Sequence, residues 1–270
     1  MLTVLLRRPR TPNATTGAAG AAALVERNLT IYRHTWYLLL AEIFEPVLYL
    51  LSMGVGIGAL VGHVPGLGDP SVGYVEYVAP ALLATAAMNG AMNETTFNMY
   101  AKLKVLRTYD SILATPLGVR DVALGEVLWA LLRGTVVAIV FAAVVACAGL
   151  VHSAWAALIV PGALLIGFAF AAAGLAVVTY LRDWQDFQLI QLVMLPMFLF
   201  ATTFYPLGVY ARPVQIGVEC LPLYQSIELV REPSLGVMDV RVAVAAGYLL
   251  AFGLLSTALA LRRLERTLVS

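Results

Sequence analysis

Runs of apolar residues long enough to cross a bilayer recur along this chain, separated by short polar breaks. A hydrocarbon core about 30 Å thick takes roughly 20 residues of helix, and backbone amides inside it must be paired within the chain. A sequence built this way reads as an all-α integral membrane protein. Its charge agrees, since only 12% of residues are charged and 61% are hydrophobic, against roughly 25% charged in a soluble domain. The net charge of +1 supplies no bulk field for nucleic acid, so the few charges matter through their placement.

Residues 1–22 read as a loose cytosolic tail. The mixed stretch after it, with Leu24, Leu29, Ile31 and Trp36 alternating with Glu26, Arg27, Arg33 and His34, suits a helix lying in the headgroup region. Six spans are predicted, at about 37–60, 74–93, 124–150, 155–181, 188–204 and 242–261. Residues 205–241 hold Pro206, Pro213, Pro222 and Pro233 among aromatics and charges, and read as short helices that dip into the outer membrane half or lie on it. Residues 62–73, with His63, form a turn-rich connection. Gly54, Gly58 and Gly62 recur every fourth residue and permit a close helix contact.

Basic residues set the orientation. Arg7, Arg8, Arg10, Arg27, Lys102, Lys104, Arg107, Arg182, Arg262, Arg263 and Arg266 fall on one side of a six-span chain, which places both termini in the cytosol. Arg212, Arg231 and Arg241 are the exceptions, offset by Glu219, Glu228, Glu232 and Asp239.

Inside the apolar runs a few groups stand out. Glu42 and Glu45 lie in the first span, and Glu126 and Arg133 lie seven residues apart on one face of the third. Such residues face protein or water rather than lipid. Glu42 and Glu45 have two readings, as a proton or cation relay or as partners of a basic group on a neighbouring span, and Arg133 is the basic group of choice. The longest polar interruption, NETTFNMYAKLKVLRTYDSILATPL at 93–117, is where a cytosolic partner meets the chain.

Catalytic and nucleotide signatures are missing from the sequence. There is no GxxxxGK[ST] loop and no GxSxG elbow. His34, His63 and His152 are remote from one another and from Cys147 and Cys220, so no metal-ligand spacing arises and the thiols are expected to be free. The chain reads as a transporter, channel or scaffold rather than an enzyme.

Three stretches add a resemblance: residues 26–62 (ERNLTIYRHTWYLLLAEIFEPVLYLLSMGVGIGALVG), 91–134, which begins AMNETTFNMY, and 183–207 (DWQDFQLIQLVMLPMFLFATTFYPL). Together they resemble permease subunits of type-2 ABC exporters, in the branch of nodulation-factor (lipo-chitooligosaccharide) and daunorubicin exporters. The resemblance implies a membrane domain over 23–270 with an interfacial amino-terminal helix, a cytosolic coupling helix at about 97–113, and short extracellular helices before the last span. It implies two permeases, identical or paralogous, on two separate ATPase subunits that carry the ATP and Mg, with no cofactor in this chain. Phe97, Tyr100, Lys104, Arg107, Tyr109, Asp110, Leu113 and Pro116 then become the ATPase-coupling residues, and Glu42, Glu45, Glu126 and Arg133 an intramembrane polar network. Where the family often has a glutamate and glycine before the closing Thr-Pro, this chain has Thr108, Tyr109 and Asp110. The expected activity is ATP-driven movement of a lipo-oligosaccharide, glycolipid or hydrophobic drug out through the cytoplasmic membrane. A proton-coupled secondary transporter using Glu42 or Glu45, and a non-transporting scaffold, are the competing expectations.

Overall fold

The computed structural model describes residues 17–61, 72–150 and 153–269, and the regular elements among them are all helical. Gly62, His63, His152, Arg7, Arg8 and Arg10 lie outside the described residues, as does the tail to residue 16. Residues 17–22, read as tail, already belong to α1 (Gly17–Tyr32), because the alanines there are strong helix formers. This helix buries Ala21 and Leu24 while Leu29, Ile31 and Trp36 stay exposed on or just beyond its other side.

Among the described residues, four segments are long and apolar enough to cross a membrane: Leu39–Leu60, Val119–Cys147, Trp155–Val178 and Val240–Arg266. They lie in α2 (Tyr37–Val61), α5 (Val119–Cys147), a 3-10 turn running into α6 (Ile159–Val178), and α10 (Val240–Val269). The segment read as the second span forms α3 (Tyr74–Asn93), of which fourteen of 20 residues are buried. A helix enclosed by protein all round needs no lipid-facing stripe and so accommodates Thr85, whose hydroxyl donates to the Ala81 carbonyl. With α6 it forms the centre of the bundle. Cβ atoms at Gly54 and Gly58 would come within 3.2 and 3.3 Å of Val75, so the small-residue stripe of α2 is where it rides on α3.

Two segments depart from expectation. The fifth, read as 188–204, is helical only over α7 (Phe187–Phe200), 14 residues or about 21 Å. It ends where Thr202 enters the left-handed region with φ 61°. The single coupling helix expected at 97–113 is broken. Two π-helical turns, Glu94–Asn98 and Ala101–Val105, continue α3, Arg107 turns the chain at φ 48°, and a separate short helix α4 (Thr108–Leu113) follows. Side-chain competition explains the widened turns, because the Thr95 and Thr96 hydroxyls donate to the Ala91 and Met92 carbonyls.

At the far end, α8 (Arg212–Glu219) and α9 (Pro222–Ser234) each start with a proline in the first turn, where its missing amide costs nothing. α9 sinks between α3, α6 and α10 with Leu223, Ile227 and Val230 fully buried. Its partner α10 runs 30 residues, about 45 Å, and extends past the expected 242–261 span so that Arg262, Arg263 and Arg266 lie on an extra helical turn.

Candidate functional site

Residues 94–117 do more than connect α3 to α5. Glu94, the first residue of the first π turn, is 2% exposed, and Glu126 on α5 is 1% exposed. Two buried carboxylates demand cations, and the chain supplies them from different elements. Lys102 Nζ lies 2.7 Å from Glu126 and 3.7 Å from Glu94. Arg133 on α5 pairs with Glu94 and with Glu42 of α2. Asn98 donates to Glu94 at 2.7 Å, and the Tyr109 hydroxyl of α4 donates to Glu126 at 3.0 Å. The Arg133 guanidinium also sits 4.4 Å over the ring of Tyr32, which brings α1 into the cluster.

These contacts form one continuous line from α4 to α2: Tyr109, Glu126, Lys102, Glu94, Arg133, Glu42. Three carboxylates face two cations along it. Burial and the neighbouring Glu126 carboxylate hold the Tyr109 phenol well above its ordinary range, so it stays a proton donor. The line ends at a cavity of about 270 Å3 between α2, α3, α5 and α7, bordered by Glu42, Glu45, Tyr49, Asn89, Asn93 and Gln191 on its polar side and by Leu82, Val137 and Phe198 elsewhere.

Of the sequence-derived network, Arg133 and Glu42 meet. Glu126 does not reach Arg133, because seven residues separate them by about 10 Å along the helix axis; its partner is Lys102. Glu45 borders the cavity with an exposed side chain. Among the residues expected to couple to an ATPase, Phe97, Lys104, Arg107, Asp110 and Pro116 are exposed and Leu113 half-buried, whereas Tyr100 and Tyr109 point into the protein. Tyr100 donates to the Arg182 carbonyl at 2.8 Å and packs with Phe97, Trp184 and Phe187 in a four-ring cluster, its centroids 4.9 Å from Trp184 and 5.3 Å from Phe187. That cluster ties the polar segment to the start of α7.

Residues 21–234 match the family model described as ABC-2 type transporter. The chain belongs to the ABC-2 type transporter family. Curated relatives agree over most of their length. Nodulation protein J of Rhizobium leguminosarum bv. trifolii is 33% identical over 235 residues, 84% of this chain and 87% of the relative. The proteins of the same name from Sinorhizobium fredii (strain NBRC 101917 / NGR234) and Rhizobium meliloti (strain 1021) are 32% and 30% identical over 239 and 233 residues, covering 86% and 84% of this chain and 87% and 86% of theirs.

Sequence reasoning passed over two residues of this ABC-2 chain. Glu94 and Lys102 are the middle of the ion line, yet Glu94 falls just past the expected second span and Lys102 counted only as an orienting charge within the expected coupling helix. Arg231 counted as a loop charge, but α9 buries it to 4% exposure. Its guanidinium donates to the Thr202 carbonyl at 2.7 Å and the Tyr77 carbonyl at 3.2 Å, and stacks 3.8 Å from the Tyr77 ring centre. Its place on one helix face with Leu223 and Ile227, at successive four-residue steps, is the sequence signal that could have found it. Cys147 and Cys220 are free and exposed.

Proposed function

We propose that this chain is the transmembrane subunit of an ATP-driven exporter whose ATPase partner docks on the exposed strip of residues 104–116, with that end of the bundle in the cytosol. One observation carries the reading: the unbroken ion line that joins α4, beneath the strip, to the polar cavity beside α2 and α7. Movement of α4 pulls on Tyr109 and hence on the carboxylates whose pairing shapes the cavity, while the aromatic cluster moves the start of α7. ATP biases the two states of the bundle only as far as the ATPase contacts differ between them. The cargo is an amphiphile of the lipo-oligosaccharide kind, in keeping with the resemblance to nodulation-factor exporters, and two copies of the chain, or this chain and a paralogue, share two ATPases.

Gentle purification of the tagged chain tests this. Recovery of an ATPase with a Walker loop, lost in Asp110→Arg while the chain still folds, supports the proposal. A chain recovered alone, with transport in vesicles that follows a proton gradient and survives ATP depletion, overturns it in favour of a Glu42 or Glu45 proton carrier.

A further inference from the structure

The flank of the bundle between α6, α7 and α10 holds a groove of about 640 Å3, within the usual range of roughly 300–1,000 Å3 for small-molecule pockets. Phe170, Val193, Met197 and Phe252 form its walls, and none of them offers a hydrogen bond to a polar ligand. At the end of the bundle that carries residues 94–117, the lining changes to Tyr180, Arg182 and Asp186.

The mouth is built around Arg182. Its backbone is held from both sides, the amide donating to Asp186 Oδ2 at 2.7 Å and the carbonyl accepting from Tyr100 at 2.8 Å. Its guanidinium is exposed and makes no hydrogen bond or ion pair among the described residues. The Asp186 carboxylate accepts from the Arg182 and Asp183 amides, and these contacts, with the nearby Arg182 charge adding to them, hold its pKa below the ordinary value, although no ion pair forms between the two side chains. A second cation stands close by, with the Arg263 guanidinium 4.2 Å over the Tyr180 ring.

We infer that this groove is a binding site for a membrane phospholipid with an anionic head, one acyl chain lying between α7 and the α6–α10 pair and the phosphate resting on Arg182. The occupant follows from the chemistry. A slot lined by apolar side chains admits a hydrocarbon chain, and Arg182 at its mouth, a cation outside any ion pair among the described residues, selects a negative head. Of the residues lining the polar cavity, only Met194 also borders the groove, so α7 divides a polar compartment from an apolar one. Lipid in the groove props α7 against the cavity. The inference rests on the membrane setting alone and stands whether or not an ATPase docks on residues 104–116.

The test is native mass spectrometry of the full-length chain, delipidated in mild detergent and titrated in parallel with phosphatidylglycerol and phosphatidylcholine. Phosphatidylglycerol is expected to bind more tightly by about fivefold, the value of one basic residue near a membrane surface. Arg182→Gln removes that preference and leaves phosphatidylcholine binding unchanged. Val193→Trp, on an exposed position of α7 that tolerates bulk, weakens both lipids by filling the groove. Equal binding of the two lipids to the parent chain, or a preference that survives Arg182→Gln, overturns the inference. So does displacement of phosphatidylglycerol by glycerol phosphate, which means a headgroup site without the groove. Displacement by a neutral N-acylated chitooligosaccharide overturns it as well, because the groove then belongs to cargo.

Discussion

Two arginines are buried at opposite ends of the bundle, each stacked on a tyrosine, and their shortest remaining contacts differ in kind. Arg133 meets side-chain carboxylates from two other elements, Glu42 and Glu94. Arg231 meets main-chain carbonyls of Tyr77 and Thr202, with the Thr202 hydroxyl at 3.3 Å and the Glu228 carboxylate at 3.5 Å as longer contacts. Carboxylates can change partners by rotating a side chain, and Glu94 already has a second cation in Lys102. Carbonyls move only with the backbone. The end that carries residues 94–117 is therefore wired with exchangeable contacts, and the end that carries α9 is clamped with fixed ones.

The largest expected effect breaks the exchangeable end. Arg133→Leu leaves two carboxylates short of a cation inside the protein and is expected to cost about 3–5 kcal/mol, read as a loss of thermal stability in detergent. Because the partner is a side chain, adding Glu94→Gln should recover at least half of that loss. No recovery would mean that Arg133 acts chiefly through its stacking on Tyr32.

Next comes the fixed end. Arg231→Leu takes the guanidinium from two buried carbonyls, leaving Thr202 with only the longer bond from the Tyr77 hydroxyl at 3.3 Å, at about 2–4 kcal/mol in total, and here no side-chain change should rescue it. Arg231→Lys should recover little, since a point charge cannot span both carbonyls and stack on Tyr77 as well. If Glu228→Gln restores stability to Arg231→Leu, the contact with Glu228 at 3.5 Å matters more than the carbonyls and the contrast fails.

A smaller change sharpens the contrast on its functional side. Tyr109→Phe removes one hydrogen bond to a buried carboxylate, about 1.5 kcal/mol. The protein should remain folded, with substrate-stimulated ATPase activity of the assembled transporter reduced more than its basal activity. An equal drop in both would make Tyr109 a packing residue only.

The smallest effect belongs to Glu232 on α9, one turn past Glu228. Burial, with Glu228 and Asp239 adding to it and Arg241 opposing, pushes its carboxyl up to about 7 from 4.5. The folded state therefore holds the proton more tightly than the unfolded chain. Stability from this group is full below about 4.5, falls as pH rises, and levels off above about 7. Glu232→Gln should match the parent at pH 5 and melt higher at pH 8 by on the order of 1–2 °C, the group being partly solvated. A higher melting point at pH 5 alone would reverse the sign and exclude this origin.

Much of the bundle was legible without coordinates. Helices α2, α3 and α5 fall where hydropathy and proline placement put them, because a bilayer admits few alternatives to an apolar helix. Glu42 and Arg133 could be paired on paper, since each is too costly to leave facing lipid. Glu94 and Lys102 could not. Their stretch has no apolar period, and the π turns that align Glu94, Asn98 and Lys102 depend on Thr95 and Thr96 bonding back to the preceding helix and on the close fit of Gly174, where a Cβ would collide with Thr95 Oγ1.

By itself, then, the sequence determined the solvent this protein lives in, its all-helical class and the family whose pattern it carries. Those properties are local or additive along the chain, being sums of transfer free energies and short-range propensities. Only the tertiary structure decided which buried charges neutralise one another, that Arg231 is a clamp rather than a loop charge, and that α7 separates a polar cavity from an apolar groove. These depend on which residues far apart in the chain share a low-dielectric space, and pairing there is set by distances of a few ångströms that no one-dimensional pattern encodes.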